Sequence, residues 1–105
     1  MYSKYLKEND TWLIIVDKDL DLYNVPALRK ILMECIEKKK TNFILDCSQM
    51  NFIDSTGLGE LASTMKKVKS YNGTITIRGL KSHINKIFAL TGLKTVFIIE
   101  GDEYE

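Results

Sequence analysis

Asp54-Ser55-Thr56-Gly57-Leu58-Gly59 is the segment of this chain whose residue types could do chemistry. Two hydroxyls stand beside a carboxylate, and two glycines follow. A helix beginning near Gly57 would offer free N–H groups and the positive end of its dipole, which favour anions and hydrogen-bond acceptors. Ser55 or Thr56 is placed to cap that helix, and a residue at a helix end is also open to other molecules. The glycines carry no side chain, so a second molecule could approach the backbone closely.

Catalysis by this segment lacks its usual companions. A serine nucleophile needs a base to take its proton. The chain has one histidine, His83, expected as a partly exposed residue where the last helix opens. No metal cluster, second catalytic acid or phosphate-cradling glycine–lysine loop is present in the sequence. Gly57-Leu58-Gly59-Glu60-Leu61-Ala62 does match the dinucleotide fingerprint G-x-G-x-x-A between a strand and a helix. That fingerprint normally follows the first strand, and the acid that would bind a ribose is missing: the next strand ends at Arg78-Gly79-Leu80. Asp54 beside the loop also disfavours a pyrophosphate. A nucleotide-binding module is therefore a minor alternative, and no cofactor is expected. Cys35 and Cys47 lie in no CxxC or His-containing pattern and are expected to be buried reduced thiols.

The elements around the segment alternate strand and helix. Thr11–Val16 is a short continuous apolar run, expected as a strand buried on both faces. Tyr2–Lys7 is expected to pair with it through a turn at Asn9-Asp10. After the polar connection Asp17–Asp21, a helix is expected from Val25 to Lys39, with Pro26 in its first turn and Val25, Leu28, Ile31, Leu32, Cys35 and Ile36 on one face. Lys38, Lys39 and Lys40 suit its C-terminal end, as a solvated group. Asn42–Asp46 reads as a core strand. The helix from about Gly57 to Tyr71 should face inward with Leu58, Leu61, Ala62, Met65 and Val68, and Asn72-Gly73 should end it. Thr74–Arg78 is the next strand. Ser82 is expected to cap a short helix with Ile84, Ile87, Phe88 and Leu90, stopped by Gly92, and Thr95–Ile99 is the last strand. Strands alternating with helices imply parallel pairing with right-handed crossovers, and the N-terminal strand makes the sheet mixed.

Size and charge limit what this domain can serve. The chain has 105 residues, 45% of them hydrophobic, enough for one modest core. Fifteen basic and 14 acidic residues are interleaved, giving a net charge of +1. A nucleic-acid partner would call for a one-sided basic excess, so none is expected. No run of about 18 apolar residues is present, so no membrane span is expected. Met1–Glu8 lacks the apolar centre of a signal peptide, which points to the cytoplasm.

Phe43-Ile44-Leu45-Asp46-Cys47-Ser48, with Met50 and then Phe52-Ile53-Asp54-Ser55-Thr56-Gly57-Leu58-Gly59, resembles the signature of the STAS domain family, specifically the bacterial anti-sigma-factor antagonists. Asp19-Leu20-Asp21 resembles the Gly-Glu-Leu-Asp element of that family, with Lys18 where glycine is usual. Asn72-Gly73 and Ile87–Leu93 resemble its later landmarks. The likeness runs from Trp12 to Ile99. It implies a single α/β STAS domain over residues 1–105, with a mixed four- or five-stranded sheet and helices packed mainly on one face. It further implies that Ser55 is phosphorylated by a partner that is both anti-sigma factor and serine kinase. The unphosphorylated chain would bind that partner and free a sigma factor, and a metal-dependent phosphatase would reset the switch. Asp21, Asp54, Thr56, Gly57, Leu58 and Gly59 then join Ser55 in the partner-binding surface. Such a chain is a substrate and a ligand, not an enzyme. The alternative within the family is a scaffold or transport-accessory domain that is never phosphorylated. A phosphate at Ser55 would bring about −1.5 to −2 charges into a loop with no Lys or Arg of its own.

Overall fold

A computed structural model describes residues 1–38, 40 and 42–100. Its elements are β1 (Tyr2–Leu6), β2 (Thr11–Ile15), α1 (Val25–Glu37), β3 (Asn42–Asp46), α2 (Ser55–Lys69), β4 (Thr74–Arg78), α3 (Ser82–Leu90), a 3₁₀ turn (Leu93–Thr95) and β5 (Ile98–Ile99). The five strands lie in the order β1-β2-β3-β4-β5. β1 runs antiparallel to β2, and the remaining pairs are parallel. The expected mixed sheet is therefore present with five strands. Asp10, at φ 48°, turns the β1–β2 hairpin.

The register sorts the strand residues onto two unequal faces, since directly paired residues share a face. Ile14, Leu45, Ile77 and Ile99 form one cross-strand row, and all four are buried. Leu13, Ile44, Thr76 and Ile98 form a row on the opposite face, and none of them is fully buried. β2 is thus not buried on both faces as its apolar run implied. The helices cover one face only, so Leu13 and Ile15 keep part of their surface in solvent.

The covering helices bury stripes at helical spacing. α1 contributes Val25, Leu28, Leu32 and Cys35; α2 contributes Gly57, Leu61, Thr64, Met65 and Val68; α3 contributes Ile84 and Phe88. Ile31, Ile36, Leu58 and Ile87 pack at the margin of this cluster. Two expected core residues point outward. Ala62 is exposed, and Thr64 takes the inward place one turn after Leu61. Leu90 is 87% exposed, because it stands about 120° around the helix from Ile84. Cys35 and Cys47 are both buried and free. Burial pushes the Cys47 thiol up to about 12 and raises that of Cys35 as well.

Several element ends differ from the sequence expectation. α1 stops at Glu37 with Lys38 as its C-cap, and Lys39 lies outside the described residues, as do residues 101–105. Lys38 and Lys40 rest their ammonium groups 5.8 and 5.6 Å from the ring centres of Trp12 and Tyr5. α2 ends at Lys69, before Asn72 takes a left-handed φ of 64°. Lys81, not Ser82, is the N-cap of α3. The expected last strand Thr95–Ile99 shrinks to Ile98–Ile99. Gly92, at φ 79°, feeds a 3₁₀ turn in which the Thr95 hydroxyl donates to the Gly92 carbonyl at 2.7 Å. Phe97 then packs its ring 6.1 Å from that of Phe88. Local hydrogen bonds and this ring contact outweigh the β preference of the run.

Candidate functional site

Two loops leave the C-terminal ends of β2 and β3 and are joined to each other. Leu20 and Ile53 form a single parallel bridge, which continues the β2–β3 pairing past the strands. The Leu20 N–H donates to the Phe52 carbonyl and the Asp54 N–H donates to the Leu20 carbonyl, both at 3.1 Å. Leu20 and Ile53 are buried, so the junction is also a packing contact. Asp19 Oδ1 accepts from the Asn51 N–H at 2.8 Å and the Phe52 N–H at 3.2 Å. Asp21 Oδ1 accepts from the Tyr23 and Asn24 N–H groups at 3.0 and 2.9 Å, turning the chain into α1. The loop carrying Asp21 is thereby set beside the loop carrying Asp54 and Ser55.

Asp54 is the cap of α2. Its backbone is extended (φ −105°, ψ −176°) and its Oδ1 accepts from the Gly57 N–H at 2.9 Å. Ser55 and Thr56, each expected as a possible cap, instead occupy the first turn, because the bridge to Leu20 leaves Asp54 as the last extended residue. This frees the Ser55 hydroxyl, which has no hydrogen-bond partner among the described residues. Ser55 is exposed and Thr56 is half-buried. A carboxylate at the cap also complements the positive end of the helix.

The two glycines have separate roles. A Cβ at Gly57 would stand 2.6 Å from the Leu20 carbonyl oxygen and 2.8 Å from Ile53 Cγ1. The close approach that Gly57 permits is therefore made by this chain's own Leu20, inside the core. Gly59 is exposed and a Cβ there would meet nothing within 4 Å, so Gly59 is the glycine open to another molecule. Leu58 is half-buried between them.

The charged groups nearby are largely committed. Asp46 Oδ1 accepts from the Ser48 N–H at 3.0 Å and its hydroxyl at 2.7 Å. Arg29 pairs with Glu60 at 3.1 Å and Arg78 with Glu100 at 3.2 Å. His83 Nε2 lies 2.6 Å from the Asn51 carbonyl oxygen, so the histidine serves that loop and not the Ser55 hydroxyl. Three large apolar residues that sequence reasoning missed are exposed on the same loops: Leu22 (65%), Tyr23 (87%) and Phe52 (52%). Their only sequence signal is position, as apolar side chains within otherwise polar connections.

A mixed sheet in chain order, helices on one of its faces, and an open serine just after the capping aspartate of the second helix together define a class of domain. The chain belongs to the STAS domain family, whose profile matches residues 4–105. Among individual proteins it is similar to the anti-sigma-B factor antagonist of Staphylococcus epidermidis, at 29% identity over 95% of this chain and 94% of that one. It shares its fold with an anti-sigma factor antagonist from Mycobacterium paratuberculosis (TM-score 0.81, 20% identity, 97% and 86% of the two chains). It shares it also with the Bacillus cell fate determinant SpoIIAA in its phosphorylated form (TM-score 0.73, 20% identity, 98% and 93% of the two chains).

Proposed function

We infer that this chain is an anti-sigma-factor antagonist switched by phosphorylation of Ser55. The observation that carries the reading is the state of Ser55: exposed, in the first turn of α2, its hydroxyl released from capping by Asp54. A kinase can reach that hydroxyl without opening the core. The staphylococcal relative named for the same function and the phosphorylated form of SpoIIAA support the reading.

The partner is an anti-sigma factor with serine kinase activity, and a metal-dependent phosphatase resets the switch. The unphosphorylated surface offers Asp21, Asp54, Ser55, Thr56, Leu58 and Gly59, flanked by the exposed side chains of Leu22, Tyr23 and Phe52. Exposed aromatic residues such as Tyr23 and Phe52 are enriched at protein interfaces. Gly57 contributes by seating α2 on Leu20. The chain itself performs no chemistry, since no base among the described residues reaches Ser55, and it works in the cytoplasm with neither nucleic acid nor membrane as partner. No helix among the described residues is long and apolar enough to cross a membrane.

Phosphate would add about −1.5 to −2 charges beside Asp54, next to the loop that carries Asp21. Arg29 and Arg78 are already paired with Glu60 and Glu100. The partner face would meet repulsion and desolvation. A loss of about 3–4 kcal/mol corresponds to some hundreds-fold weaker binding. The test is phosphosite mapping by mass spectrometry after incubation with a candidate anti-sigma kinase and ATP. The label is expected on Ser55; Ser55→Ala should bind the partner persistently and resist release by ATP, and Ser55→Asp should fold but bind weakly. Label on Thr56, Ser48 or Ser63 with Ser55→Ala still fully modified would overturn the assignment. No label with any such kinase would favour the unphosphorylated scaffold.

A further inference from the structure

The segment leading into Ser55 is held by an element outside the switch. Between the buried Met50 and Ile53, Asn51 and Phe52 are exposed. They gain little from packing, so polar contacts fix their backbone. The Asn51 and Phe52 N–H groups share Asp19 Oδ1. The Asn51 side-chain oxygen accepts from Lys81 Nζ, and its carbonyl oxygen lies 2.6 Å from His83 Nε2. A carbonyl oxygen only accepts, so Nε2 carries the proton in this contact. Three parts of the chain meet at Asn51: the β2–α1 loop, the β3–α2 loop and the first turn of α3. His83 is exposed and takes no part in the core, so among the described residues this contact is the structural task of the chain's single histidine.

We propose that His83 is a positioning residue for Ser55: by holding the Asn51 carbonyl it keeps Asn51–Asp54 in the conformation that presents Phe52 and Ser55 together. The inference rests on the reading of Ser55 as the switch. His83 touches neither the hydroxyl nor the incoming phosphate. It acts by raising the fraction of molecules whose loop is ready to dock, and apparent affinity scales with that fraction.

The experiment compares the full chain with His83→Ala and His83→Gln; the glutamine amide can still donate to the Asn51 carbonyl. Amide hydrogen exchange by NMR needs no partner. In His83→Ala, the Asn51, Phe52 and Asp54 amides should exchange about three- to tenfold faster, the scale of one net hydrogen bond, while the β3 and β4 amides do not change. His83→Gln should restore the original rates. Steady-state phosphorylation by a purified anti-sigma-factor serine kinase should show KM raised by at most that factor, kcat unchanged, and recovery in His83→Gln. Unchanged exchange at the loop, equal acceleration across the core strands, or no recovery with glutamine would each overturn the proposal. Restorable loop exchange in a chain that the kinase never modifies supports the brace and overturns only the Ser55 reading.

Discussion

Gly57 and Gly59 sit two residues apart, yet one is enclosed and the other open. An added methyl at Gly57 collides with the Leu20 carbonyl and Ile53, whereas at Gly59 it enters empty space. Gly57→Ala should cost about 1–3 kcal/mol through overpacking. Gly59→Ala should be neutral or stabilise by up to about 1 kcal/mol, because alanine is the better helix former. Urea unfolding midpoints decide this, and equal shifts would contradict the assignment of roles. Cys47 gives a second residue-scale expectation. Its thiol rises from an ordinary 9.0 to about 12, first through burial and then through nearby Asp46. The folded chain thus keeps a proton that the unfolded chain releases, and the contribution is whole below pH 9. It is lost as pH climbs from 9 toward 12, with a limiting slope of about 1.4 kcal/mol per unit. Tyr5, Tyr71 and Cys35 are raised too and act in the same direction. Urea midpoints measured from pH 8 to 10.5 should fall, and fall less steeply in Cys47→Ala. At this scale the sequence made Ser55 legible by type and neighbours. It pointed to Ser55 or Thr56 as the cap of α2 and missed Asp54, because the Leu20–Ile53 bridge, a tertiary contact, makes that choice.

Helix and strand identity followed from periodicity where the period had room to repeat. α1 and α2 span three or more turns, and β3 and β4 match their expected bounds residue for residue. α3 has nine residues, too few to separate a true inward stripe from a coincidental apolar neighbour. Leu90 was such a neighbour. Phe88→Ala should therefore cost about 3–5 kcal/mol, since Phe88 is fully enclosed and touches Phe97, while Leu90→Ala should move stability by less than about 0.5 kcal/mol. Thermal or urea unfolding of the two variants checks the pair, and a comparable loss in both would mean that Leu90 packs after all. β5 was misjudged for a related reason. Thr95-Val96-Phe97 carries strong β preference, but the left-handed Gly92 and the Phe88 ring recruit it into a turn. The apolar residues of the loops were the least legible. Leu22, Tyr23 and Phe52 look like core residues by type, and only their position on the folded surface shows them free for a partner.

At the level of the whole molecule, strand–helix alternation was sufficient to reach a mixed sheet, and the family resemblance implied helices mainly on one face. The consequence for burial was less visible, because a strand under one helical layer has the same apolar run as a strand between two. The sheet also has a property unrelated to its faces: its strand order is its chain order. Each strand pairs with the one made just before it, and no strand must wait for a distant segment to complete a neighbour. The β1–β2 hairpin closes locally, whereas each parallel pair must first close a loop around a helix, which slows its formation. On the ribosome, where chains emerge N-terminus first at about 5–20 residues per second, the sheet can grow one edge at a time. The loop with Ser55 follows β3, but Lys81 and His83, which hold Asn51, are made only after β4 is complete. A nascent chain therefore displays its serine before the loop is braced, and the finished presentation of Ser55 waits for α3.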